Sequence, residues 1–167
     1  MKQKFLMSTL ILGLVLPFGA SAQVSKKDQE FMKKAAAGGL YEVEAGRLAQ
    51  EMASSSSVKA FGEMLVKDHS SANEELKDLA FAKKAVLPSE LPADKRKRLT
   101  KFAGAKNFDK VFVREVGIED HSKDIKLFEK ASKDADDSQV KDFAAKTLPA
   151  LVSHREHAQE LQKKLGK

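Results

Sequence analysis

Five side chains in this sequence have the right chemistry to form a site: Glu42, Asp68, His69, His121 and His154. Imidazole and carboxylate are the donors that suit zinc, iron, manganese or copper, so ligand type alone does not choose the metal. The same groups also satisfy one another. An Asp–His or Glu–His pair removes the cost of burying either partner without any ion. Other features are weaker. His157 follows His154 by three residues and reads as a surface histidine, while Met52 and Met64 read as core packing rather than soft-metal ligands. There is no cysteine, no haem-attachment motif, no phosphate loop and no nucleophile elbow, so nothing marks a hydrolase or a nucleotide enzyme.

What must position these residues is a set of helices. Apolar residues recur at three- and four-residue spacing, and nothing reads as a strand. The spacing predicts a first helix over 26–53, capped by Ser25, with an inward stripe of Phe31, Ala35, Gly38, Glu42, Ala45, Ala49 and Met52. Glu42 falls in the centre of that stripe and Glu44 on the far side. The pair Gly38-Gly39 predicts a close helix approach. A second helix is expected over 57–83, with Asp68 inside its apolar stripe and His69 on the flank. The third, over 108–133, carries two stripes, one of which includes His121. The last, over 137–165, carries His154 inward and is expected to kink at Pro149. Asp136 and Gln139 resemble a capping box at its start.

The turn at 54–57 and the turn at 134–137 are short, so each joins antiparallel neighbours. Between the hairpins, 84–106 contains Pro88, Pro92, the basic run Lys95, Arg96, Lys97 and Arg98, and a short helix pinned by Leu99 and Phe102. A connection of that length can run the length of a helix of about 40 Å. The expected class is therefore all-α: a ferritin-like four-helix bundle of two antiparallel hairpins joined by a long crossover. Counted from the turns, Glu42, His69, His121 and His154 then reach the midplane, one per helix.

Residues 1–22 read as a cleaved secretion signal: Lys2 and Lys4, an apolar run from Phe5 to Phe18, and Ala20-Ser21-Ala22 as the cleavage site. Residues 23–167 read as one domain, exported to the periplasm or cell envelope. Its 28 basic and 24 acidic residues leave a net charge of +4, mildly basic and no sign of a polyanion partner. With no tryptophan and one tyrosine, a nucleic-acid-stacking surface is not expected. No later stretch is long enough to span a membrane. The run Lys95–Arg98 offers at most a weak envelope contact.

Several phrases resemble a known family. These are Gly38-Gly39-Leu40-Tyr41-Glu42-Val43-Glu44-Ala45-Gly46-Arg47-Leu48-Ala49, Val66-Lys67-Asp68-His69, Phe108-Asp109, His121, and Leu148-Pro149-Ala150-Leu151-Val152-Ser153-His154. They are similar, in order, to the exported bacterial family catalogued as domain of unknown function 4142. The resemblance implies a ferritin-like bundle at the envelope and carries no established activity. Di-iron members of the wider ferritin-like class pair Glu-x-x-His on two helices with further glutamates on the others. That pattern is missing here, so the expectation is at most a mononuclear site. Two functions stay open. One is a non-enzymatic envelope or stress protein acting through outer faces such as that of Leu40 and Val43. The other is a metal-binding protein, for one divalent or transition metal ion, with Glu42, His69, His121 and His154 as ligands and Asp68 orienting a histidine.

Overall fold

Four long helical runs and one short helix arise where the apolar spacing places them, in a computed structural model of the protein that describes residues 24–166. The expected secretion signal lies outside the described residues. Helix α1 is Lys26–Met52, α2 is Ser56–Ala82, and the short α3 is Ala93–Ala103. The third long run is continuous but not uniform: α4 is Phe108–Phe112, a π-helical stretch covers Val113–Asp120, and α5 is His121–Asp134. Helix α6 is Ser138–Leu165 and continues through Pro149. Among the described residues there is no strand, and no helix is long and apolar enough to cross a membrane.

Helices α1 and α2 pack as one hairpin, and α5 with the π-helical stretch packs on α6 as the other. Two apolar clusters hold them. One gathers Phe31, Met32, Leu76, Ile125, Phe128, Val140 and Phe143. The other gathers Tyr41, Val58, Phe61, Leu65, Phe102, Phe112, Val116 and Leu161. Each has an edge-on aromatic centre, with Phe31 against Phe128 at 5.1 Å and Phe61 against Phe112 at 5.9 Å between ring centroids. Burying one such ring contributes roughly 1.5–3 kcal/mol. Helix α3 joins the second cluster through Phe102, as expected, and ends at Gly104.

The π-helical stretch is what reconciles the two stripes of the third helix. Bonding from i to i+5 takes more residues per turn than an α-helix. Phe108, Phe112 and Val116 therefore share the interior with His121, Ile125 and Phe128. An unbroken α-helix would hold the two sets on different faces.

Several expectations need correction. The tight helix approach is at Gly46 and Gly62, not Gly38-Gly39: a Cβ on either would lie 2.6 Å from the other's carbonyl oxygen. Gly39 instead makes room for the Asn73 side chain, and Gly38 borders Asp124. Met52 is 41% exposed, and Val43 is buried, so the face carrying Val43 is not an outer one. The last helix is capped by Asp137, which accepts from the amides of Gln139 and Val140, rather than by Asp136.

The turns are held by long-range carboxylates. Asp28, in the first turn of α1, is buried and accepts from the amides of Asp136 at 3.1 Å and Asp137 at 2.8 Å. Asp109, in the first turn of α4, accepts from Ser54 at 3.0 Å and Ser55 at 2.8 Å.

Candidate metal centre

Between the two apolar clusters lies a polar layer. It contains Glu42 of α1, His69 of α2, His121 of α5 and His154 of α6, all of them buried. The structure brings together all four side chains that the sequence pointed to. The ring centroids of His69, His121 and His154 are 5.3 to 5.5 Å apart. Each imidazole offers a nitrogen within 4.8 Å of those of the other two.

On α2 the roles of two residues are exchanged relative to expectation. His69 is the inward residue, and Asp68 is on the flank with its side chain 39% exposed. The cause is the true axis of the buried stripe. Val58, Gly62, Leu65, Leu76 and Ala80 define it. At about 100° per residue His69 lies close to that axis and Asp68 roughly a quarter-turn away.

Hydrogen bonding assigns the nitrogens. His121 Nδ1 lies 2.9 Å from the Val116 carbonyl oxygen and must donate to it, which leaves Nε2 with a lone pair. His154 Nε2 lies 3.0 Å from Asp68 Oδ2, so it donates there and leaves Nδ1 with a lone pair. Those two free nitrogens face each other at 3.2 Å. His69 Nδ1 is 3.1 Å from Glu42 Oε2, and its Nε2 has no hydrogen-bond partner at all. Glu42 Oε1 is likewise without a hydrogen bond, although it lies 3.3 Å from His121 Nδ1. The Val116 carbonyl belongs to the π-helical stretch, so the same local distortion that turns His121 inward also fixes its tautomer.

Electrostatics keep the imidazoles neutral. Burial pushes His121 down to about 4 and His69 well below the ordinary histidine value, with the neighbouring imidazoles adding to the effect. Burial also lowers His154, against the opposing pull of Asp68. Neutral imidazole is the form that ligates metals. Glu42 is held well above the usual carboxylate range, first by burial and then by the negative charge of Asp124. Asp124 itself is raised to about 6 by burial, with Lys95 pulling the other way.

Asp124 is a residue of this neighbourhood that sequence reasoning missed. It is one turn beyond His121, beside Asp120, and its only sequence signal is that i, i+3 spacing on a histidine's helix. Two members of the basic run also turn inward. Lys95 and Arg98 lie over the Tyr41 ring at 4.7 and 5.1 Å, and Arg98 pairs with Asp120 at 2.6 Å. Only Arg96 and Lys97 of that run are exposed.

The family described as Domain of unknown function (DUF4142) has a model that matches residues 14–161. The chain belongs to this family. No protein of curated function matches it. Among solved structures, the DUF4142 chain is similar to one described as CopM in the Cu(II)-bound form, with a TM-score of 0.71 at 14% identity over 83% of this chain and 97% of that one. CopM in the Cu(I)-bound form gives 0.69 at 15% identity, covering 83% and 96%. CopM in the Ag-bound form, obtained by soaking, gives 0.68 at 15%, covering 86% and 98%. At such identities the likeness is one of helical-bundle fold.

The donor set fits a metal ion. Two lone pairs pointing at each other and a third buried nitrogen with no partner are unfavourable without a cation among them. Bonds of about 2.0 Å to one ion place trigonal nitrogens about 3.5 Å apart. The His121–His154 pair is already near that separation, at 3.2 Å.

Proposed function

We propose that this protein is an exported, non-enzymatic metal-binding bundle that holds a single copper ion between His69, His121 and His154. The observation that carries the reading is the convergence of three neutral, buried imidazoles, one of them with an orphaned nitrogen. Each ring is steered from behind: His69 by Glu42, His121 by Val116, His154 by Asp68. Such outer contacts orient ligands and raise their basicity. Three nitrogens without thiolate suit a trigonal ion, and structural zinc sites almost always have four ligands. The CopM structures of similar fold are copper- and silver-bound, which favours copper over zinc.

In this reading residues 23–167 are one ferritin-like domain in the periplasm, with a mononuclear site at the middle of the bundle. Glu42 balances the ion's charge. Burial holds its carboxyl well above the usual range, and a bound cation would favour the carboxylate form, so uptake is expected to strengthen with pH.

The test is elemental analysis of the mature protein purified from periplasm without a metal-affinity tag, before and after exposure to excess Cu(I). A variant carrying His121→Ala and His154→Ala is the control. About one copper per chain in the wild type, lost in the variant, is expected. No copper in either, with the variant merely less stable, would make the imidazoles structural and overturn the reading.

A further inference from the structure

A buried site must be filled from outside, and the charges around this one differ by direction. On the α1–α3 side a cation meets Lys95 and Arg98, which lie over Tyr41 beside Glu42. Between α1 and α2 it meets Asn73 seated on Gly39, above a cavity of about 20 Å³ bordered by Glu42, His69 and Asp124. That space holds about one water.

The seam between α2 and α6 is different. Three cross-contacts set its antiparallel register: Glu75 with Lys146 at 2.8 Å, Asp68 with His154 at 3.0 Å, and Phe61 with His157 at 5.3 Å between ring centroids. Asp68 has its side chain 39% exposed, yet it bonds an imidazole that is 3% exposed. His157 is half-buried and one turn from His154, about 4.5 Å along the helix. A part-exposed carboxylate and a half-buried imidazole therefore lie beside the buried His154 on this seam.

We infer that the ion reaches the cluster along the α2–α6 seam, drawn in by Asp68 and His157 at its outer edge before it passes to the inward-facing Nδ1 of His154. This rests on the metal reading above. The cation handled there is a soft or borderline one that accepts nitrogen. The transfer is a ligand exchange at constant oxidation state: water and whichever seam group, carboxylate or imidazole, holds the ion are replaced by the three inner nitrogens, and the water returns to solvent.

The experiment is stopped-flow uptake of Cu(I) by the full mature chain from a coloured bicinchoninate complex, with release followed by chelator challenge. His157→Gln is expected to slow uptake and release alike, each about tenfold, leaving the equilibrium affinity within about twofold. That equality separates a group on the path from a structural one. Asp68→Asn keeps an acceptor for His154 while removing the charge; it is expected to slow uptake several-fold and to flatten its dependence on salt. A purely positioning Asp68 would show in the release rate alone. Uptake at wild-type rates in both variants overturns the inference, as does faster uptake in Asn73→Ala with the seam variants unaffected, which would place the route through the cavity. Failure of the wild type to take any Cu(I) at equilibrium overturns the metal reading itself, and this inference with it.

Discussion

The two ends of the bundle make an instructive pair. At one end Asp28 of α1 ties down the turn that joins α5 to α6; at the other Asp109 of α4 ties down the turn that joins α1 to α2. Each carboxylate sits in the first turn of one hairpin and caps the bend of the opposite hairpin. The second helices match as well. Val58 and Val140 are both fully buried three residues before a buried phenylalanine, and those rings, Phe61 and Phe143, anchor opposite clusters. The halves are thus related by a pseudo-twofold arrangement, although their turns, Ser54-Ser55 and Asp136-Asp137, share no sequence. The difference lies in depth. Asp28 is 1% exposed, whereas Asp109 is half-buried. Equivalent geometry need not mean equivalent stability.

The largest effects test the likeness of the ends. Phe61→Ala and Phe143→Ala should each destabilise by about 4 kcal/mol in chemical denaturation. A cost confined to one of them would break the pseudo-symmetry as an energetic statement. Next come the clamps, which test the difference. Asp28→Ala should lose about 3 kcal/mol, since it strands part-buried amides and removes the buried acceptor that ties them, and Asp109→Ala about 1 kcal/mol. Equal losses would mean that depth does not matter here.

The smallest effect concerns the middle layer that both ends enclose. Histidines with lowered values, such as His121 at about 4, favour the unfolded chain once pH falls below its ordinary value of about 6.5. Asp124, raised to about 6, acts the other way: its stabilising protonated form is gained as pH falls. The opposing slopes overlap between about pH 4 and pH 6. Asp124→Asn should therefore steepen the acid loss of the metal-free protein, by about 1 kcal/mol at pH 4.5 relative to pH 7. Melting temperatures across that range measure it, and parallel curves for variant and wild type would remove Asp124 from the account.

Local signals in the sequence were enough to place the helices, the crossover with its pinned α3, and the four residues of the central layer. Apolar spacing and short turns are near-neighbour properties. What escaped depends on contacts between distant segments. The destination of Asp28, 108 residues from Asp136, is invisible to spacing, and so is the crossing of Gly46 on Gly62. In the sequence Phe61, Ala72 and Leu79 pull the apolar stripe of α2 toward Asp68, but Ala72 and Leu79 are only half-buried, so the buried stripe runs through His69 instead. The two stripes on the third helix were legible as a contradiction, but α-helical counting has no means of resolving one.

The π-helical stretch resolves it, and that has a genetic consequence. Its extra length per turn is what brings His121 into register with the other imidazoles and aims its Nδ1 at Val116. Substitutions that let 113–120 relax to a plain α-helix at unchanged length would rotate everything after it by about 100°. The central imidazole can thus be swung out of the layer without touching a histidine codon.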